Sequence, residues 1–219
     1  MNSYIKIILF FKKLNIHRGY IKTSVKQKIT NKFIFSSRNQ KYSLDLNQTV
    51  ISLYTVIKLV EILKQKNSII VVGNIENISY IDSFKNNNLK NIIFIQKWIP
   101  GLISNWEGFQ KIIKGNLPFF TNAIKVSQKL RFFRFFYTLF DSKQPSIVII
   151  FQNEDYKTII KECFHKNIPV ILIGNNYSEV NEVSYQVPSN ITNFFSYSLF
   201  IQLLVGQITF DNNKKNDKK

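Results

Sequence analysis

The side chains of this chain that could take part in chemistry are mainly basic and aromatic. Between Lys125 and Phe140, positive residues are interleaved with phenylalanines, and the basic members are Lys125, Lys129, Arg131 and Arg134. A helix with this composition suits contacts with phosphates combined with packing on bases or sugars. It also suits a membrane surface. It is equally compatible with phenylalanines in a core and charges in solvent.

Groups that could support catalysis are few. His17 and His165 are the two histidines, and Cys163 is the single cysteine, which we expect to be a packed core thiol. The turn after Val72-Gly73 lacks further glycines, so the dinucleotide-binding fingerprint is missing, and no P-loop lysine motif occurs. We therefore predict no catalytic site, no cofactor, no metal and no small-molecule substrate. A nucleotide-binding enzyme remains a hypothesis, ranked third after nucleic-acid binding and membrane binding.

Positive charge dominates the chain. Thirty Lys and Arg residues stand against thirteen Asp and Glu residues, which gives a net charge of +17 and an isoelectric point near 9.9. Such a surface attracts polyanions, with nucleic acid as the first candidate and an anionic membrane as the second. A genome rich in Lys, Asn and Ile codons explains part of this excess, but it explains the shortage of acids less well. No apolar run reaches the roughly eighteen residues of a membrane span, so we expect none.

Both tryptophans, Trp98 and Trp106, lie in one stretch, residues 96–109. This stretch follows an apolar run that predicts a buried strand. Pro100-Gly101 forbids a continuous helix or strand between the tryptophans. Both tryptophans could be ordinary core residues, because Trp is highly buried on average. The pattern predicts a structural turn built on Trp98, Pro100, Gly101 and Trp106.

A helix is predicted to follow this turn. Ser104 can cap it, and Glu107 lies three residues later, as a capping box requires. The helical region continues to about Phe140, with breaks near Gly115 and Pro118. This is too long for a single crossover between strands, so we interpret residues 106–143 as a helical insertion.

Strands and helices alternate along the rest of the chain. Apolar, β-branched runs predict core strands at 69–73, 91–95, 146–151 and 168–173. Helical spacing and caps predict helices at 50–63, 76–86, 153–166 and 191–205. Short strands at 33–35 and 42–44 flank a polar turn, and the basic segment 14–32 is predicted as a loop or short helix. The alternation is typical of an α/β fold with a mainly parallel sheet.

These elements divide the chain into three parts. Residues 1–105 and 144–210 form the predicted core domain, residues 106–143 the insertion, and residues 211–219 a disordered basic tail. The apolar run of residues 5–11 lacks the flanks of a secretory signal. The acid-free N-terminus is compatible with an organellar targeting peptide or with a part of the fold.

Six short motifs follow one another along the chain. They are HRGY (17–20), FIFSSRNQKYSLDLNQT (33–49), KWIPGLISNW (97–106), PSIVIIF (145–151), NIPVILIG (167–174) and YQVPSN (185–190). In type and order they resemble the bacterial-type second protein of the small ribosomal subunit. The resemblance covers nearly all of the chain outside the insertion and the tail.

Matches and departures can be named residue by residue. In the central motif Pro100 replaces a Gly and Ser104 a Thr, while the positions that match the family pattern are Lys97, Trp98, Gly101, Asn105 and Trp106. Elsewhere Tyr20 replaces a His, Gln152 replaces an Asp, and Asn175-Asn176-Tyr177 stands where the family has Asp-Thr-Asn. The insertion is much shorter than the protruding helical hairpin of the family.

The resemblance implies a non-catalytic protein with a Rossmann-like (flavodoxin-like) core, helices on both faces of a mainly parallel sheet, and a shortened helical hairpin. It implies docking between the head and body of the small subunit, beside neighbouring ribosomal proteins. Together with the charge, it predicts rRNA contacts by Arg18, Lys22, Arg38, Asn39, Lys41, Lys97, Asn105, Lys125, Lys129, Arg131 and Arg134. The shortened hairpin and the sequence rich in Lys, Asn and Ile suggest an organellar copy. We predict the mitochondrial matrix rather than a plastid. A basic protein on a membrane surface is the runner-up.

Overall fold

The computed structural model describes residues 3–21, 33–38, 41–63, 68–73, 92–95, 98–115, 144–151, 156–174 and 183–204. In chain order its elements are α1 (Ser3–Lys13), β1 (Arg18–Ile21), β2 (Ile34–Arg38), β3 (Lys41–Leu44), α2 (Leu46–Leu63), β4 (Ile69–Val72), β5 (Ile92–Ile95), α3 (Trp106–Gly115), β6 (Ile147–Phe151), α4 (Tyr156–His165), β7 (Val170–Gly174), β8 (Tyr185–Pro188) and α5 (Phe194–Leu204). The predicted helix 76–86, most of the insertion and the tail lie outside these ranges.

A five-stranded parallel sheet forms the centre of the molecule. Its strands lie in the order β5-β4-β6-β7-β8, and every neighbouring pair is parallel. Counting only the strands of this sheet in chain order, the arrangement is 2-1-3-4-5, which is the flavodoxin-like order. The predicted α/β class and parallel sheet are confirmed.

Three helices, α1, α2 and α5, cover one face of this sheet. Phe11 of α1, Val56 of α2 and Phe200 of α5 share an apolar cluster with Val71 and Ile149 of the sheet. The rings of Phe11 and Phe200 are 6.2 Å apart between centroids. The N-terminal apolar run is therefore a helix that joins the core through Phe11, while Ile5, Ile7, Leu9 and Phe10 are exposed.

The opposite face is covered by α4 and by residues 98–106. Here Trp98 and Ile160 lie in a second apolar cluster with Val72, Ile150 and Leu172. Alternate residues of each strand thus face different clusters, because side chains of a strand point in turn to the two faces. Burial on both sides explains why these strands read as continuous apolar runs. The prediction of helices on both faces is confirmed.

A small antiparallel sheet, in the order β1-β3-β2, precedes the parallel one. The prediction of a loop or short helix for residues 14–32 is wrong for Arg18–Ile21, which pair with β3 as a strand. Gly19 allows this pairing, because a Cβ there would lie 3.1 Å from both the Cβ and the carbonyl oxygen of Tyr42. The basic sequence of β1 has no apolar pattern that predicts a strand, because β1 is formed by its hydrogen bonds to β3.

The C-terminal part departs from the sequence prediction at two points. Tyr185–Pro188, which lies outside every predicted strand, is β8, whose parallel pairing with β7 completes the edge of the sheet. A strand that ends in proline is tolerated at an edge. The last helix begins at Phe194 rather than at residue 191, because Asn190 Oδ1 accepts hydrogen bonds from both N and Oγ1 of Thr192.

One described helix, α2, is long and apolar enough by length and composition to cross a membrane. From the sequence we expected no such segment. In this fold α2 packs against the sheet through Thr49, Leu53, Val56 and Val60. Thr49 is fully buried, and its hydroxyl donates a hydrogen bond to the carbonyl oxygen of Pro188 in β8. This bond ties the start of α2 to the edge strand.

Replacing Thr49 by Val should lower the free energy of unfolding by about 1–3 kcal/mol, because the Pro188 carbonyl loses its buried donor. Urea denaturation followed by circular dichroism measures the change. Thr55→Val is the matched control, since Thr55 lies on the exposed side of the same helix and donates to Ile51. We expect a change within about 0.5 kcal/mol for the control. Equal losses in the two variants would contradict a tie between α2 and β8.

Candidate nucleic-acid interface

Residues 98–105, here called the Trp turn, connect the β5 side of the sheet to α3. The side chains of Trp98 and Trp106 are 2% and 1% exposed, so they serve the core and present almost no surface to a partner. Gly101 takes a φ of +90°, which few other residues adopt without strain. Its carbonyl oxygen accepts the N–H of Asn105 at 2.9 Å, which closes the turn.

The helix after the turn begins one residue later than the predicted cap at Ser104 implies. Asn105, not Ser104, precedes the first helical residue, and its carbonyl oxygen accepts the N–H of Phe109 at 3.1 Å. This is the position of an N-cap. The side chain of Asn105 folds over the first turn, where a Cβ on Gly108 would collide with its Oδ1. Gly108 therefore leaves room for the cap.

A buried carboxylate holds the Trp turn, and the sequence prediction missed it. Glu162 of α4 is only 8% exposed. Its Oε1 accepts Trp98 Nε1–H at 3.3 Å and the N–H of Gly101 at 2.8 Å. Its Oε2 accepts the N–H groups of Ile103 at 3.1 Å and Ser104 at 3.5 Å. Both oxygens of a charge in the core are thus satisfied by donors from one turn.

A signal for this residue existed in the sequence. Glu162 falls between Ile159, Ile160 and Cys163, which are all fully buried. At helical spacing these positions share one face. An acid on the apolar face of an amphipathic helix requires buried donors, but the sequence does not say which element supplies them.

Two of the three exposed residues of the Trp turn are polar. The exposed residues are Pro100, Ser104 and Asn105, and those between them are buried or half-buried. Asn105, one of the predicted RNA-contacting residues, therefore lies at the surface. Lys97 lies outside the described residues.

The small antiparallel sheet brings three predicted basic positions together. Arg18 of β1 is exposed and pairs with Ser43, and Arg38 and Lys41 pair directly across the β2–β3 hairpin. Phe33, which precedes β2, packs against the cluster that contains both tryptophans. The small sheet and the Trp turn are therefore anchored in the same apolar cluster. The remaining predicted contacts, Lys22, Asn39, Lys125, Lys129, Arg131 and Arg134, lie outside the described residues.

His17, beside Arg18, illustrates the positive surroundings of this sheet. Burial lowers the pKa of the imidazole, and the charges of Arg18 and Lys12 lower it further. The ring is therefore neutral at neutral pH, where it adds no charge to the surface. Its carbonyl oxygen accepts the N–H of Leu44 at 2.7 Å, which ties the chain before β1 to β3.

The described residues are closely packed next to the place where flavodoxin-like folds bind ligands. In such folds the crevice lies beyond the carboxyl ends of the strands where the order reverses, which is between β4 and β6. A Cβ on Gly73, just after β4, would lie 2.7 Å from the hydroxyl of Tyr197 and 3.0 Å from Phe151. The Phe151 and Tyr197 rings are 4.9 Å apart, and burial raises the pKa of Tyr197 to about 12. Tyr197 and Phe151 therefore pack closely against the backbone of Gly73.

Comparison with known proteins identifies the family. The family model described as ribosomal protein S2 matches residues 13–209. The chain belongs to the ribosomal protein S2 family. Three relatives illustrate the match. The small ribosomal subunit protein uS2c of Galdieria sulphuraria is 27% identical over 79% of this chain and 80% of its own length. The uS2c protein of Euglena longa is 23% identical over 83% of each. The uS2m protein of Schizosaccharomyces pombe is 24% identical over 80% of this chain and 64% of its own.

Membership confirms the resemblance seen in the motifs. An S2 protein is a structural, non-enzymatic component of the small ribosomal subunit, and its partners are rRNA and other ribosomal proteins. The prediction that the chain is not an enzyme is confirmed, and the hypothesis of a nucleotide-binding enzyme is dropped. The ribosomal assignment also outranks the membrane-surface alternative.

The single thiol should be unreactive in the folded S2 protein. Cys163 is fully buried, and burial first, then the neighbouring Glu162, raises its pKa to about 12. Because the thiolate is the reactive form, Ellman's reagent at pH 8 should modify less than about a tenth of the thiol until denaturant is added. A Thr55→Cys variant places a second thiol on the exposed side of α2 and supplies the accessible control. Rapid modification of native wild-type protein would contradict the packed position of Cys163.

Proposed function

We propose that this S2 protein binds small-subunit rRNA between the head and the body of the subunit and so supports translation by a mitochondrial ribosome. One observation carries the proposal beyond family membership. The register of the small antiparallel sheet brings Arg38 next to Lys41, while Arg18 is exposed on the adjoining strand. These three positions, which lie on three different strands, form one basic locus in space.

The physical basis is the attraction of this basic locus for phosphates. Each phosphate neutralised by Lys or Arg releases condensed counterions, so binding is strong at low salt and weakens as salt rises. The net charge of +17 extends this attraction over the whole surface. The basic locus then determines which part of the protein contacts the phosphates, because phosphate contacts set the register and orientation of a protein on nucleic acid.

The Trp turn supplies a second contact in this proposal. Ser104 and Asn105 are exposed polar residues that can bond to phosphate, sugar or base edges. Trp98 and Trp106 contribute by holding the turn from inside, together with Pro100 and Gly101. The proposal keeps as further contacts the residues that sequence alone supports: Lys22, Asn39, Lys97, Lys125, Lys129, Arg131 and Arg134.

The proposal also retains the division of the chain into a core (1–105 and 144–210), an insertion (106–143) and a basic tail (211–219). Trp106 lies in the second apolar cluster, and Phe109 packs against that cluster. The first turn of α3 is thus built into the core. The proposed insertion would therefore leave the core only after this first turn.

Binding to small-subunit rRNA tests the proposal. We expect the double variant Arg38→Ala/Lys41→Ala to weaken binding and to reduce the salt slope, log K against log salt, by about 1.4–1.8 in magnitude, which corresponds to two lost phosphate contacts. Filter binding at several salt concentrations measures both.

The matched control is Lys157→Ala/Lys161→Ala, which removes the same charge from the exposed side of α4. We expect a smaller change there. Equal slopes for the two doubles would reduce the effect to net charge and contradict a basic locus on the small sheet. Wild-type protein that sediments apart from small subunits at low salt would contradict the ribosomal assignment. Vesicle binding that survives ribonuclease would favour the membrane surface.

The organelle needs its own experiment. The relatives include both chloroplast-type uS2c and mitochondrial uS2m proteins at similar identities. The trimmed chain, rich in Lys, Asn and Ile, indicates an organellar copy, and we propose the mitochondrion because plastid copies tend to resemble the bacterial protein more closely. Fractionation of purified organelles followed by detection of the protein in small-subunit particles decides between the two. Recovery from plastid ribosomes would overturn the mitochondrial proposal and leave the ribosomal one intact.

A further inference from the structure

We infer that Glu162 is a positioning residue for rRNA binding: it holds the Trp turn so that Ser104 and Asn105 meet the RNA. This inference rests on the proposed function, because it assigns a role to the proposed second contact. Glu162 itself is buried, so it does not reach a partner directly. It acts only through the Trp turn that it holds.

The geometry shows how one side chain can orient the whole turn. Glu162 Oε1 accepts hydrogen bonds from the first half of the Trp turn, donated by Trp98 and Gly101. Its Oε2 accepts hydrogen bonds from the second half, donated by Ile103 and Ser104. The two halves are therefore fixed relative to each other and to α4. This link between turn and helix is tertiary, because the partners are 58 to 64 residues apart in sequence.

The charge of Glu162 also decides what the turn presents outside. Backbone N–H groups gathered in a turn form a concavity that binds anions. Here the inward carboxylate of Glu162 already occupies the N–H groups of Gly101 and Ile103. An external phosphate cannot use them, so recognition falls to the exposed side chains of Ser104 and Asn105. Their placement then depends on the carboxylate behind them.

The carboxylate stabilises the Trp turn as well as orienting it. Removing a charge from water is costly, and the hydrogen bonds from the turn offset that cost. What apolar residues cannot do is accept four hydrogen bonds from one turn. The feature that a carboxylate adds is thus a fixed geometry for the Trp turn.

Charge and positioning predict opposite results for one substitution. Glu162→Gln raises the net charge by one, which by itself strengthens binding to RNA. It also replaces one carboxylate oxygen by an NH₂ group, which faces N–H donors of the turn and cannot accept from them. That half of the turn is therefore released. We expect rRNA affinity to fall by about tenfold, equivalent to about 1.4 kcal/mol. Glu61→Gln is the matched control, because Glu61 is exposed on α2, away from the Trp turn, and gives the same change in charge. It should bind at least as tightly as wild type.

A site-directed probe separates positioning from general destabilisation. An iron chelate on Ser104→Cys cleaves rRNA near the Trp turn, and the same chelate on Thr55→Cys reports from exposed α2. Buried Cys163 does not take up the reagent. Adding Glu162→Gln should displace or weaken the cleavages from position 104 and leave those from position 55 unchanged. Near-ultraviolet circular dichroism should change as well, since the buried Trp98 belongs to the turn that loses part of its support.

Each outcome decides one of the two ideas. If wild type does not bind rRNA, the proposed function fails. If wild type binds, and folded Glu162→Gln binds as tightly as Glu61→Gln with unchanged cleavages from position 104, the positioning role is overturned while rRNA binding stands. If Glu162→Gln does not fold, Glu162→Asp decides in the same assays: it keeps the charge but shortens the reach. Wild-type cleavage from position 104 in that variant would also overturn the inference.

Discussion

The structure depends on a parallel sheet whose two faces are both apolar. Successive residues of a strand are buried in different clusters, as Val71 and Val72 show. Such a sheet is stable only when helices or other segments cover both sides. This requirement places α1, α2 and α5 on one face and α4 with the Trp turn on the other. In the described part of the chain, basic residues such as Lys58 and Lys157 consequently lie on the exposed sides of the helices.

Two buried polar contacts join elements that are distant in the chain. Thr49 connects α2 to the last strand through Pro188, and Glu162 connects α4 to the Trp turn. Buried polar groups must find partners, because an unpaired donor or acceptor in a core is costly. The two contacts therefore specify how the covering segments sit on the sheet. They add geometric definition that apolar packing alone supplies less sharply.

The fold also shows how a flavodoxin-like sheet can serve a structural role. The order reversal between β4 and β6 is the usual ligand site, and here Tyr197 and Phe151 approach Gly73 there at contact distance. The proposed contacts of the molecule lie instead on its surface, in the basic locus of the small sheet and the outer edge of the Trp turn. This arrangement agrees with membership of a ribosomal protein family.

Sequence alone determined the α/β class, four of the five parallel strands, the family and the absence of catalysis, because these follow from local periodicity and motif order. It misplaced what depends on distant partners. β1 and β8 have too little apolar pattern to be read as strands and exist through pairing with β3 and β7. The start of α3 at Trp106 follows from Asn105, rather than Ser104, acting as the cap. Only tertiary structure brought Glu162 to the Trp turn, since hydrogen bonds between residues about 60 apart leave no local trace in sequence.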